Sequence, residues 1–164
     1  MRSVFIVEVK LTEVPSSEAE LLLAMIRQLA ISDGVSNVTV GLKELEDNLF
    51  SESPIAFAKF IRSGDDTVGF IIHSWKFATF LGTRELYMQA IYISEAYRRQ
   101  GLATKALQLL AKYALAEGCS RIEWYVIDDN EMSNGFYDAL GAENVSYLGV
   151  RRFNRIALKN LAGG

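Results

Sequence analysis

Apolar and polar residues recur at two periods along this chain, and the changes of period divide it into elements. Residues 4–9 alternate weakly, which predicts a first strand broken by Val14-Pro15-Ser16-Ser17. Ser17 and Glu20 have the spacing of a capping box. The helix they open carries Leu21, Leu22, Met25, Ile26, Leu29 and Ala30 and stops near Ser32-Asp33-Gly34. Leu42, Leu45 and Leu49 mark a short second helix. Residues 55–61 and 67–75 predict two strands joined by the hairpin turn Ser63-Gly64-Asp65-Asp66, with Val68, Phe70 and Ile72 on one face. An apolar run over residues 75–81 leads through Gly82-Thr83 into a further strand, residues 86–93. A long helix follows, in which Leu102, Ala106, Leu109, Leu110 and Tyr113 recur at three- and four-residue spacing before the C-cap signal Glu117-Gly118. Residues 122–127, rich in aromatic and β-branched side chains, predict another strand. Asn130 is a good N-cap for a helix over residues 131–140, closed by Gly141. Residues 144–150 and 152–158 predict two last strands, and residues 161–164 a loose tail. The order β-α-α-β-β-β-α-β-α-β-β predicts an α/β fold, a mixed sheet flanked by helices, in one domain over residues 1–164.

Composition narrows the chemistry. Half of the 164 residues are hydrophobic, ample for a core, yet no apolar run reaches the length of a membrane span. Cys119 is the sole cysteine and His73 the sole histidine, which excludes a disulfide framework, a Cys/His metal site and a Ser/His triad. No metal, no membrane and no nucleic acid is therefore expected as a partner, since the net charge of −3 comes with no basic block. The lone cysteine and the absence of a signal peptide fit a reducing, cytoplasmic setting.

The most informative stretch is the junction between the strand at 86–93 and the long helix. Arg98-Arg99-Gln100-Gly101-Leu102-Ala103-Thr104 opens directly into that helix. The first N–H groups of a helix lack internal partners and lie at the positive end of its dipole. Gly101 has no side chain to hold a phosphate away, Ala103 adds only a methyl, and two guanidinium groups flank the turn. A pyrophosphate cradle is the sharp reading, and a surface turn with two solvated arginines the bland one. The turn lacks the Gly-Lys-[Ser/Thr] of a Walker loop and the three glycines of a dinucleotide fingerprint.

The spacing Arg98-x-x-Gly101-x-Ala103 matches the [Arg/Gln]-x-x-Gly-x-[Gly/Ala] pattern of the GCN5-related N-acetyltransferases (GNAT), and Asn130 to Ala142 resembles that family's Asn-x-x-Ala-x-x-x-Tyr-x-x-x-Gly-[Phe/Ala]. Within the family the chain looks most similar to the diamine (spermidine/spermine) and thialysine acetyltransferase branch. The resemblance implies the acyl-CoA N-acyltransferase fold, with a central, mostly antiparallel sheet, and acetyl-CoA as co-substrate. It implies that the backbone of Ile91, Tyr92 and Ile93 holds the pantetheine arm and acetyl group where two strands splay apart. Arg99, Gln100, Gly101, Leu102, Ala103 and Thr104 would cradle the pyrophosphate with Arg98 flanking, and Asn130 and Ser133 would contact the coenzyme. Tyr137 would protonate the departing thiolate. The branch also implies a homodimer formed near the C-terminus.

Acetyl transfer needs a neutral amine, and an amine of pKa about 10.4 is neutral at pH 7 only about once in 2,500. In the polyamine enzymes a Glu-Asp pair on the central strand serves cation binding and proton removal; Gln89 and Ala90 stand at those positions here. Asp33, Glu85, Glu123 and Asp128 are the candidate replacement bases, each also readable as a solvated or structural carboxylate. Asp33, Gln89 and Trp124 are candidate acceptor contacts, and Trp75 and Phe77 candidate walls of an apolar pocket. The expected activity is acetyl transfer to the primary amine of a small molecule, polyamine-like or amino-acid-like, by direct attack. The alternatives are a protein amine as acceptor, a non-catalytic acyl-CoA sensor that has lost its base, or a nucleotide phosphate site.

Overall fold

The computed structural model describes residues 8–163. The chain divides into two compact units, Met1–Tyr125 and Val126–Gly164. The first contains β1 (Val9–Glu13), α1 (Ala19–Ser32), α2 (Leu42–Leu49), β2 (Phe57–Ser63), β3 (Asp66–Ala78), β4 (Thr83–Ile93), α3 (Leu102–Ala116) and β5 (Cys119–Glu123). One sheet runs β1-β2-β3-β4-β5. The first four strands are antiparallel neighbours, and β5 joins β4 in parallel.

Helices cover both faces of this sheet. On one face Leu102, Ala106, Leu110 and Ala114 of α3 pack on Ile61, Val68, Ile71, Leu86 and Met88. On the other, Leu22, Leu23 and Met25 of α1 and Leu45 of α2 pack on Ala58, Phe60, Phe70 and Tyr92. Leu22, Phe60, Phe70, Leu86 and Leu110 are all fully buried, each burial contributing about 1.5–3 kcal/mol. The helical stripes of α1 and α3 thus meet opposite sides of the strands, and α2 and the Gly64-Asp65 hairpin turn lie where their sequence patterns put them.

Several expectations need correction. The first strand is Val9–Glu13, and most of the segment expected for it lies outside the described residues. Ser17 does not cap α1: residues Ser16–Glu18 form a 3-10 turn in which Glu18 N–H donates to Pro15 C=O at 2.9 Å, and α1 starts after it. Val68 does not share a face with Phe70 and Ile72. The register passes from Ile61↔Gly69 to Arg62↔Thr67, so Val68 is the extra residue of a bulge and turns to the α3 side. β3 runs on to Ala78, because Lys76 and Phe77 find partners in Glu85 and Arg84. β5 is Cys119–Glu123 rather than 122–127: it begins at once after Gly118, whose φ of 75° makes the turn, and ends where pairing with β4 ends.

The second unit contains α4 (Glu131–Ala139) and α5 (Arg155–Leu161). The two strands expected at 144–150 and 152–158 are not formed. Residues 142–154 carry neither helix nor strand, and Asn154 caps α5 by accepting from Ala157 N–H at 2.9 Å. Local capping prevails there over a strand-like pattern that finds no strand to pair with among the described residues. Among the described residues no helix is long and apolar enough to cross a membrane.

Candidate active site

The two halves of β4 have different surroundings. Arg84, Leu86 and Tyr87 pair with Cys119, Ile122 and Glu123 of β5. Beyond Tyr87 that edge has no strand partner among the described residues, while the opposite edge stays paired with β3 as far as Ile93. At the point of separation the register with β3 passes from Ile72↔Ala90 to His73↔Met88, so Gln89 is the extra residue of a second bulge. Gln89 is exposed there. Further on, Ser94 N–H donates to Val68 C=O at 2.8 Å. Alternation along the strand then turns Tyr92 toward β3 and the N–H and C=O groups of Ile91 and Ile93 toward the open edge. Gly69 makes this end of the sheet close: a Cβ there would run into the Tyr92 carbonyl oxygen.

The chain leaves β4 through a 3-10 turn, Glu95–Tyr97, and enters α3. Arg99 and Gly101 both adopt left-handed backbone, φ 61° and 73°, an arrangement of the kind that curls successive N–H groups around an anion. No side chain caps α3 and no acidic residue occupies its first turn, so the N–H groups of Leu102, Ala103 and Thr104 keep their capacity for an anionic ligand. Arg99, Gln100 and Gly101 are exposed, Leu102 is buried under the helix, and Gln100 Nε2 reaches back to Ala96 C=O at 3.4 Å. Arg98 is engaged within the protein. Its Nε donates to Ile93 C=O at 2.9 Å, its Nη2 approaches Ser32 Oγ at 3.4 Å, and its guanidinium lies 5.6 Å from the Tyr92 ring centroid. It ties the turn to β4 and to the end of α1, a positioning duty that periodicity gave no means of finding.

The closed half of β4 is an ionic clamp. Glu85, 1% exposed, accepts from Arg121 Nε at 2.7 Å and pairs with Lys76 Nζ at 3.0 Å; Lys76 also reaches Glu123 at 2.6 Å. Burial pushes the Glu85 carboxyl up, but the Lys76 and Arg121 donors outweigh it and hold it below the usual range. Glu85 and Glu123 are thus bound to cations, and Asp33 is the exposed residue that ends α1. Trp124 packs against the α3-side core, and Tyr125 meets the Tyr87 ring edge-on at 5.3 Å. Trp75 belongs to the same core, with His73, Phe57 and Tyr113, and Phe77 is largely exposed.

A cavity of about 300 Å³ lies on the other face of the open half. Ile26 and Leu29 of α1, Leu45 and Leu49 of α2, Val40, and Phe70, Ile72 and Ala90 of the sheet line it, with Glu44 and Asn48 as its polar members, and it opens to solvent. Glu44 accepts from Gly41 N–H at 2.9 Å and caps α2; Asn48 Nδ2 donates to Glu44 C=O at 2.7 Å. The sequence offered no sign of this space beyond Ala90 itself.

Within the second unit, Asn130 Oδ1 accepts from Ser133 N–H at 3.1 Å and caps α4, while Asn134 Nδ2 donates to Ile127 and Asp128 C=O. Asp128 lies in this turn region, ahead of the helix. Tyr137 lies on α4 with its ring 5.2 Å from that of Phe136. Among the described residues no group of His, Cys, Asp and Glu side chains could hold a metal ion.

The sequence profile of the acetyltransferase (GNAT) family matches residues 23–142. The chain is 30% identical to a thialysine N-epsilon-acetyltransferase of Mus musculus, over 94% of its own length and 97% of the relative's. It is 29% identical to the corresponding protein of Bos taurus, over 94% and 98%. Among solved structures, an integron cassette protein from the mobile metagenome of V. cholerae superposes with a TM-score of 0.78 at 21% identity, over 95% of this chain and 98% of that one.

Proposed function

From the premise that this chain belongs to the acetyltransferase (GNAT) family, we propose that it transfers the acetyl group of acetyl-CoA to the primary amine of a small molecule by direct attack. The observation that carries this reading is the open edge of β4 running straight into the uncapped start of α3. Ile91 and Ile93 offer backbone groups in strand spacing, which suits the amides of a pantetheine arm. The turn Arg99 to Thr104 supplies N–H groups, dipole and charge for a pyrophosphate, and Arg98 holds that turn in place. A backbone N–H of the open edge stabilises the oxyanion as the amine attacks the acetyl carbonyl.

Asn130 and Ser133 contact the coenzyme, and Tyr137 donates to the departing thiolate. A phenol of pKa about 10 is a weaker acid than a thiol of about 8.5, so the worth of Tyr137 lies in placing a donor on developing charge. Deprotonating the amine offsets a handicap of about 4.6 kcal/mol at pH 7. Gln89, exposed at the bulge, orients water for that proton transfer, a role that suits a strand from which the acidic pair is missing. The thialysine enzymes among the relatives support a small amine as acceptor. The matched region 23–142 crosses the boundary between the two units, which supports one functional domain. A cytoplasmic homodimer completes the reading: Cys119 is the one cysteine, so the chain forms no internal disulfide, which suits a reducing compartment, and light scattering measures the dimer.

Thermal melting with acetyl-CoA, followed by thiol release over a panel of amines, tests the function. A ligand at a hundred times its Kd stabilises by about 2.7 kcal/mol. Stabilisation together with thiol release is the expected result; no stabilisation would overturn the reading.

A further inference from the structure

The cavity beside Ala90 carries information about the acceptor that the coenzyme side does not. It touches β4 at Ala90, the residue before Ile91, whose backbone faces the open edge. Whatever fills it lies next to the position where the amine must attack. Its walls are mostly apolar: α1 contributes Ile26 and Leu29, the sheet Phe70 and Ile72, and α2 Leu45 and Leu49 beside the polar Glu44 and Asn48. A cation drawn out of water into such walls needs carboxylates to replace its hydration. The one carboxylate in the lining, Glu44, is already bonded to Gly41 N–H. An apolar body gains from the same walls.

Resting on the acetyl-transfer reading above, we propose that the acceptor is a monoamine with an apolar body, an alkylamine or arylalkylamine of hexyl to phenethyl size. Its body lies between α1, α2 and Ala90, and its amino group points toward Ile91. The volume of about 300 Å³ lies at the small end of ligand pockets and suits a body of that size. Ala90 is then a specificity-determining residue: its methyl group completes the apolar wall at the position where a carboxylate would serve a polyamine.

The test measures acetyl-CoA melting shifts and kcat/KM for thiol release on one preparation. The amines are n-butylamine, n-pentylamine, n-hexylamine, phenethylamine, thialysine and spermidine. Transfer of each added methylene into the cavity raises kcat/KM by about fourfold, so n-hexylamine exceeds n-butylamine by about fifteenfold, and both n-hexylamine and phenethylamine exceed spermidine and thialysine. Ala90→Asp reverses the order, lowering phenethylamine turnover at least about tenfold and raising that of spermidine, with the acetyl-CoA melting shift retained. A flat chain-length series, a preference of the native protein for spermidine or thialysine, or a melting shift without turnover of any monoamine would each overturn the proposal while leaving coenzyme binding intact. Absence of any melting shift would instead overturn the acetyl-CoA reading, and the proposal with it. The chain-length series needs no variant, so the proposal remains open to refutation if Ala90→Asp does not fold.

Discussion

The lower half of β4 is held on both edges, and the upper half on one. Below the bulge at Gln89, β5 supplies backbone partners, and a cluster of Lys76, Glu85, Arg121 and Glu123 fastens the three strands by side chains. Above it β5 no longer pairs with β4, and β3 and the turn pinned by Arg98 hold the strand. One strand is thus paired on both edges at one end and on a single edge at the other. The difference is made by where β5 stops, not by any change in the apolar character of β4.

Substitution at Gly69 breaks the upper half most severely. Any Cβ there collides with the Tyr92 carbonyl, and neither backbone can yield without parting β3 from β4. Gly69→Val is expected to cost about 3 kcal/mol or more, seen as a lower urea midpoint, with acetyl-CoA binding lost in whatever protein remains folded. An equal loss of stability with coenzyme affinity retained would mean that the upper half does not depend on β3.

In the lower half, Glu85→Gln keeps the shape and removes the charge that two cations share. Half-exposed Lys76 and Arg121 recover part of their hydration, so the cost is about 2–3 kcal/mol rather than the full value of a broken buried pair. The effect vanishes in acid: the folded-state pKa of Glu85 is depressed, so its contribution is present above the unfolded carboxyl pKa and is lost as pH falls through the folded one. The KM for acetyl-CoA stays within about twofold, because the clamp lies outside the open edge. A large rise in KM would remove the distinction between the halves.

The contrast also explains what could be read from the sequence. Helices α1, α2 and α3 have apolar stripes, and the turn Arg98 to Ala103 a spaced motif, because both are local properties of the chain. The limits of β5 are not local. Trp124 and Tyr125 extend its strand-like pattern, yet they are apolar because they pack on the α3-side core and on Tyr87, and pairing has already ended at Glu123. The strands expected after Gly141 had alternation but no partner. The cavity beside Ala90 is assembled from three separate segments, each of whose side chains reads simply as core.

His73 lies opposite the change between the halves, paired with Met88 just below the bulge. It is fully buried between Phe57, Trp75 and Tyr113, and neither ring nitrogen has a hydrogen-bond partner among the described residues. Burial, aided by Lys59, lowers its pKa from 6.5 to about 4. Between those values the unfolded chain binds the proton and the folded one does not, so stability falls as pH falls. Urea unfolding at pH 7.5 and pH 5 should differ by about 2 kcal/mol from this residue alone. His73→Phe should remove that difference while leaving other acid-linked losses in place. An unchanged pH dependence would mean that the ring finds a partner on protonation.

Arg98 gives the smallest stability effect and the finest discrimination. Its bond to Ile93 C=O and its place near the Tyr92 ring contribute about 1 kcal/mol to folding. Arg98→Ala should therefore shift the urea midpoint only slightly. If its work is to hold the turn at the end of the open edge, KM for acetyl-CoA should rise about tenfold with kcat little changed. Arg98→Lys restores charge without the guanidinium fork that reaches Ile93 and Ser32 together. Should lysine recover the KM, charge near the pyrophosphate is what matters, and the upper half needs no pin. Should lysine behave as alanine does, the fork itself substitutes for the missing strand, holding by one side chain what β5 holds by pairing below.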